Sequence, residues 1–228
     1  MLNDLLSVWF PQCCWNCMQP LAKNQKWLCV RCASKLPKTY FEQDENNALK
    51  VMLRQFLPLE GAYAPFYFLK HSPIQELIHA LKYQGKKKVA DWIAQQSAQL
   101  IPKEHFVMKC DGIVPVPLHP SRQQKRGYNQ VTGFGQYWAN RLGVPYLDDL
   151  LLRKNQTKTL VRMSREARWE EVKNAFLIQS KKEYNHLLLV DDVITTGATL
   201  TACGNALLNG VCEKISVMGM AYAQNILP

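Results

Sequence analysis

The stretch over residues 187–199 constrains the fold of this chain more than any other. Leu187, Leu188, Leu189 and Val190 run without a break into Asp191 and Asp192, then Val193 and Ile194 lead to Thr195-Thr196-Gly197-Ala198-Thr199. An unbroken apolar run of this kind reads as a strand buried on both faces, the habit of a parallel sheet. Beyond it, Leu200, Cys203 and Leu207 recur at helical spacing and Gly210 supplies a stop. The hydroxyl-rich turn therefore lies between the carboxyl end of a strand and the start of a helix. There the free backbone N–H groups and the helix dipole favour an anion, and Gly197 lets the backbone come close to one. Asp191 and Asp192 stand at the rim of the same crevice, where they repel an anion unless they hold sugar hydroxyls or a metal ion. A ribose 5-phosphate meets both demands, with its diol on the acids and its phosphate on the turn. The plainer alternative is a strand–turn–helix with a solvated acidic rim.

The same residues resemble the PRPP-binding signature of type I phosphoribosyltransferases. The resemblance implies that Asp191 and Asp192, the catalytic acids, bind the ribose hydroxyls. It implies too that Thr195, Thr196, Gly197, Ala198 and Thr199 hold the 5-phosphate, with Mg²⁺ accompanying PRPP. The expected architecture is an α/β domain with a mostly parallel sheet of the type I phosphoribosyltransferase kind, its crevice at the carboxyl ends of the strands.

With 228 residues the chain can bury a sizeable core, enough for one main domain and a small appendage. Its net charge of +10 and pI near 9.2 favour an anionic partner or substrate. No apolar run approaches the roughly 20 residues of a membrane span, so no membrane insertion is expected. The first ten residues carry Asp4 and no basic leader, unlike a signal peptide. Eight cysteines without an export signal then read as belonging to a reduced compartment, which places the chain in the cytoplasm.

Two of the cysteine pairs have metal spacing. Cys14-x2-Cys17 and Cys29-x2-Cys32 are separated by eleven residues, and two such thiolate knuckles make the tetrahedral four-sulfur site that zinc prefers. A segment this short buries too little apolar surface to fold alone, so zinc (Zn²⁺) would be structural and supply its folding energy. Four cysteines leave no open position for catalysis. Cys13 is a substitute ligand at poorer spacing, and two disulfides or unpaired thiols are the alternative. Residues 1–38 thus form a four-cysteine, zinc ribbon-like module and residues 39–228 the main domain. Lys23, Lys26, Arg31, Lys35 and Lys38 make the module basic, and Trp15 and Trp27 are able to stack on bases. A merely solvated face explains the lysines equally well.

Residues 39–60 read as a polar connector with Glu42, Asp44 and Glu45, and residues 61–70 as a strand pair or a bent strand. Ser72-Pro73-Ile74-Gln75 starts a helix, with Ser72 as cap and Pro73 first, and Ile74, Leu77, Ile78 and Leu81 form its buried face. It runs into the basic turn Leu81-Lys82-Tyr83-Gln84-Gly85-Lys86-Lys87-Lys88, then a helix with Val89, Trp92, Ile93 and Leu100 inside. A short strand over residues 111–117 ends in two prolines and opens into a loop with Leu118, His119, Ser121, Arg122, Lys125 and Arg126. Arginines in a loop after a sheet strand suit a second anion, here a pyrophosphate, although a solvated basic loop is the alternative. Val131, Phe134, Trp138 and Leu142 mark a further helix that Gly143 stops, and residues 214–223 the last strand.

Taken in order, the four-cysteine module, Leu-Lys-Tyr-x-Gly-Lys, Pro-Val-Pro-Leu-His, Arg-Gly-Tyr-Asn-Gln and the PRPP motif resemble the ComF family over nearly the whole chain. That family is competence-associated, with an N-terminal zinc finger and a phosphoribosyltransferase-like domain. The resemblance implies a role in DNA uptake and natural transformation, alongside the DNA-uptake machinery. It also implies binding of PRPP or a related phosphosugar and of single-stranded DNA. Candidate nucleic-acid contacts are Lys82, Tyr83, Lys86, Lys87, Arg165, Arg168 and Trp169, the last three beside Arg162. One segment departs from the family pattern of Thr-x-x-Gln and Arg-x-x-Asn: Thr157 is followed by Leu160 and Arg168 by Glu171, while Asn174-Ala175-Phe176 is retained. In phosphoribosyltransferases this region supplies the mobile loop, so the loss weakens transfer chemistry more than binding. The alternative is an active phosphoribosyltransferase moving ribose 5-phosphate from PRPP to an amine or nucleobase. There Arg122 and Arg126, with the backbone near Leu118 and Ser121, would hold the pyrophosphate.

Overall fold

The computed structural model describes residues 12–153 and 175–224. In chain order the elements are helices α1 (Val30–Ala33) and α2 (Ala48–Arg54), strands β1 (Gly61–Tyr63) and β2 (Phe66–Tyr67), and helices α3 (Pro73–Tyr83) and α4 (Lys88–Ala98). Strand β3 (Gly112–Pro115), helices α5 (Pro120–Arg126) and α6 (Thr132–Leu142) and strands β4 (Leu151–Arg153) and β5 (Phe176–Ile178) follow. The described chain ends with β6 (Tyr184–Ile194), α7 (Ala198–Leu208) and β7 (Cys212–Tyr222).

The apolar run becomes β6, an inner strand flanked by β7 and β3 in a sheet ordered β1-β7-β6-β3, all parallel. Leu187 faces Ile215 on one side and Gly112 on the other, and Val190 faces Met218 and Pro115. Leu187, Leu188, Leu189 and Val190 are all fully buried, each contributing about 1.5–3 kcal/mol. The expected α/β fold with a mostly parallel sheet is what the chain adopts. The last strand starts at Cys212 rather than 214, because Tyr184 and Cys212 already pair.

Residues 61–67 form one edge strand in two pieces: β1 and β2 pair with β7 in the same register, Gly61 with Ser216 and Phe66 with Ala221. The break falls at Pro65, which has no N–H for the ladder. The outer edge is covered by the chain arriving from the cysteine module. Tyr67 N–H donates to the Pro37 carbonyl (2.8 Å), Thr39 N–H to Pro65 (3.1 Å) and the Thr39 hydroxyl to Ala64 (2.6 Å). Leu28, Cys32 and Leu36 of that module join the same continuous core.

The capping signals hold. Ser72 accepts from Gln75 N–H, Pro73 opens α3, and α6 ends at Gly143 with φ 68°. In α4, Val89 and Ile93 are buried, but Trp92 is only half-buried and Leu100 lies past the helix end. The expected loop after β3 is partly helical, because His119 caps it, Pro120 occupies its first turn and Gly127 (φ 72°) ends it. Gly210 is not a left-handed cap; the helix ends at Asn209 in right-handed geometry. A Cβ on Gly210 would stand 2.4 Å from Ile178 Cδ1, so glycine here lets β5 lie against α7. Among the described residues no helix is long and apolar enough to cross a membrane.

Gly210→Ala should destabilise the fold by about 1 kcal/mol through that collision, and Ile178→Val, which removes the struck Cδ1, should recover part of the loss. A double-mutant cycle by urea denaturation checks this, with additive effects as the contrary result.

Candidate functional site

The crevice forms at the carboxyl ends of β3 and β6. Its volume is about 430 Å³, and its walls include Asp191, Asp192 and the turn residues Thr195, Thr196, Gly197, Ala198 and Thr199. Both carboxylates are tied to their own backbone: Asp192 N–H donates to Asp191 Oδ1 (2.8 Å) and Val193 N–H to Asp192 Oδ1 (2.6 Å). The other Asp192 oxygen holds the Lys82 ammonium at 3.0 Å. Desolvation, then the Asp192 charge, push the Asp191 carboxyl well above the usual carboxylate range; Lys82 and Arg122 pull the other way. Beneath it, burial and the Asp191 charge push the Cys203 thiol up, leaving it an inert neutral group.

Gly197 caps α7 with φ 73°. A Cβ there would stand 2.3 Å from Leu53 Cδ2, so packing of α2 against the turn requires glycine, independently of any ligand. Thr195 and Thr196 are exposed and Thr199 half-buried.

The opposite wall comes from the segment after β3. Leu118, His119, Arg122 and Arg126 line the crevice, whereas Ser121 turns to His119, with 2.7 Å between Oγ and Nδ1. Arg126 donates to Gln130 Oε1 at 2.6 Å, and Gln130 is itself buried. Lys82, read from sequence with the basic turn, lies inside the crevice instead. Tyr83, Lys86 and Lys87 remain exposed outside it. Arg162, Arg165, Arg168 and Trp169 lie outside the described residues, as does the departure around Thr157 and Glu171.

Arg153 is the crevice residue that sequence reasoning missed. It stands at the end of β4 with its guanidinium 5.7 Å from the Phe176 ring, and its Nε is buried with no hydrogen-bond partner among the described residues. Desolvation above all holds the guanidinium below its usual range, and the nearby Arg122 charge adds to it. A strand of three residues carries no periodicity, so nothing in the sequence marked it.

The four predicted thiols converge. Cys14, Cys17, Cys29 and Cys32 place their sulfurs within 4.8 Å of one another, and the Cys17 and Cys29 sulfurs are 3.7 Å apart. Zinc–sulfur bonds of about 2.3 Å in a tetrahedron separate sulfurs by about 3.8 Å, so the cluster fits a metal such as zinc and none of the four is in a disulfide. Cys13 is not in the group. Asn16 Nδ2 donates to Cys32 Sγ at 3.3 Å, the kind of outer contact that orients a ligand.

A parallel α/β sheet with paired acids and a hydroxyl–glycine turn on one crevice, behind a four-sulfur module, defines the class. The chain is 33% identical over 207 residues to Competence protein F of Haemophilus influenzae, covering 86% of this chain and 84% of that one. It is 28% identical over 227 residues to DNA utilization protein YhgH of Escherichia coli K12 (91% and 95% covered). It is 22% identical over 202 residues to Competence protein ComFC of Bacillus subtilis (86% and 77%). The chain belongs to the ComF (Competence protein F) family. No family model matches it. Similar solved structures include the glutamine PRPP amidotransferase of B. subtilis (TM-score 0.39, 17% identity, 63% of this chain and 26% of that one). Another is orotate phosphoribosyltransferase of Aeropyrum pernix (TM-score 0.32, 12% identity, 74% and 75%).

Metal analysis of the purified chain should find one zinc, lost in Cys29→Ser; full zinc content in that variant would remove Cys29 from the site. Asp191→Asn should stabilise the ligand-free protein. An acid with a raised folded pKa stabilises the fold below its unfolded value and loses that contribution as pH rises, here from 3.8 through about 7. The gain should therefore be a few kcal/mol at pH 8 and less than half of that at pH 5, read by urea melts of variant and parent.

Proposed function

We propose that the crevice binds PRPP or a related phosphosugar, and that the chain acts in the cytoplasm as a competence-type protein of DNA uptake and natural transformation. Its macromolecular partner would be single-stranded DNA and its setting the DNA-uptake machinery. One observation carries the ligand reading: two carboxylates, a hydroxyl–glycine turn and three arginines, Arg122, Arg126 and Arg153, open onto a single crevice. The relatives named for competence and DNA utilization support the biological setting.

On this reading Asp191 and Asp192 accept hydrogen bonds from the ribose hydroxyls. The hydroxyls and N–H groups over residues 195–199 hold the 5-phosphate at the start of α7. Arg122 and Arg126, with the backbone near Leu118, hold the pyrophosphate, and charge-assisted pairs of this kind are the stronger hydrogen bonds. Asp191 and Asp192 would hold Mg²⁺ in place of the Lys82 ammonium that Asp192 now carries at 3.0 Å. Bound there with the ligand, Mg²⁺ supplies charge neutralisation of the pyrophosphate. Residues 1–38 would be the zinc module and 39–228 the ligand-binding domain. The arginine wall also favours a second reading, transfer of the ribose 5-phosphate to an amine or nucleobase, because fixed positive charge stabilises a departing pyrophosphate.

Calorimetric titration with PRPP–Mg²⁺ and with inorganic phosphate separates the two halves of the site. Asp191→Asn with Asp192→Asn should weaken PRPP binding while phosphate still binds. Thr195→Val with Thr199→Val should weaken both ligands by about ten- to a hundredfold. Substituting Gly197 is a poor probe, since the new side chain strikes Leu53. If both double variants bind PRPP like the parent, the crevice is not the ligand site.

A further inference from the structure

The rim of the crevice has an outer side that the phosphosugar reading leaves unused. Lys82 and Tyr83 are consecutive at the end of α3, yet Lys82 turns inward to Asp192 while Tyr83 stands outside, 64% exposed. Arg126 belongs to both sides. It lines the crevice, and its guanidinium lies 5.5 Å from the Tyr83 ring centroid, steadied by Gln130. The Tyr128 hydroxyl donates to the Leu81 carbonyl and ties the two segments together. Lys87 Nζ lies 4.7 Å from the Tyr128 ring, and Lys86 Nζ lies 5.7 Å from the ring of Trp15 in the cysteine module. Residues 81–88 and 122–130 contain no Asp or Glu. The strip thus alternates rings and cations, without acid from its own segments, and ends at an arginine of the crevice.

We infer that this strip holds single-stranded nucleic acid by stacking bases on Tyr83 and its neighbours, and that the strand's phosphates reach Arg126, so strand and crevice ligand compete for that arginine. The competing ligand is taken from the phosphosugar reading above. A polyanion alone would need only the cations; the interleaved rings add π-faces on which any base can stack. An acidic protein surface has no use for that arrangement. Competition is reciprocal: the factor by which the phosphosugar lowers strand affinity is the factor by which the strand lowers phosphosugar affinity.

Fluorescence anisotropy of a labelled oligothymidylate with the full chain tests this, with and without saturating PRPP–Mg²⁺, against sulfate of matched ionic strength. Tyr83→Ala should weaken strand binding by roughly five- to a hundredfold with an unchanged circular dichroism spectrum. PRPP, but not sulfate, should weaken strand binding to the parent, and that effect should vanish in Arg126→Met. Parent-like affinity in Tyr83→Ala overturns the stacking surface, as does a polyglutamate peptide that binds as well as the oligonucleotide. Strand affinity indifferent to PRPP, in a parent that calorimetry shows to bind PRPP, overturns the shared arginine. A parent that takes no PRPP overturns the phosphosugar reading and the competition together, whereas a loss in Tyr83→Ala would still uphold the stacking surface.

Discussion

The placement of two carboxylates directly after the apolar run of β6 governs the rest of the molecule. β6 lies between β7 and β3, and its residues 187–190 are sealed on both faces. Burial of that run fixes the strand's register, because a slip of one position would place Asp191 where Val190 is buried between Pro115 and Met218. The acids are thereby held just past the last pairing with β3, half in water and half out. The protein compensates locally: backbone N–H groups meet both carboxylates and Lys82 reaches over from α3. This local support is incomplete, as the raised pKa of Asp191 records. Groups left in such a condition in a crevice mark functional sites more often than structural ones.

Electrostatically the crevice is two-sided. Asp191 and Asp192 line it together with Arg122, Arg126, Arg153 and the turn at the start of α7. Such a division suits a ligand that is itself divided, hydroxyls at one end and phosphates at the other. It suits a uniform polyanion poorly, since the acids would repel part of it. The Arg153 Nε, buried without a hydrogen-bond partner among the described residues, lies in this crevice. A buried donor left without an acceptor costs about 1–3 kcal/mol.

Legibility in the sequence followed the physics of each element. β6, α3 and α6 were readable because burial imposes a pattern on them: an apolar run, a capped amphipathic face, a terminal glycine. The four-sulfur cluster was readable because metal geometry fixes ligand spacing. Helix α5 escaped because it buries no residue and so has no apolar face to show. Lys82 was read with its basic neighbours, since sequence gives the charge of a side chain and not the direction in which it turns. The glycines were found at the right places for incomplete reasons. Gly197 and Gly210 are demanded by Leu53 and Ile178, residues remote in sequence, and no local pattern announces such contacts.

The cysteine module is bound to this arrangement by more than a linker. Its exit strand, residues 37–39, covers the outer edge at β1 and β2, and its Trp15 meets Lys86 in the basic turn. That turn includes Lys82, and the Tyr128 hydroxyl fixes it to the arginine segment by donating to the Leu81 carbonyl. The four-cysteine cluster, the basic turn and the crevice rim therefore share a single run of contacts. The segment carrying the four thiols packs Leu28, Cys32 and Leu36 into the main core, and it reaches the rim through one tryptophan and one edge of the sheet.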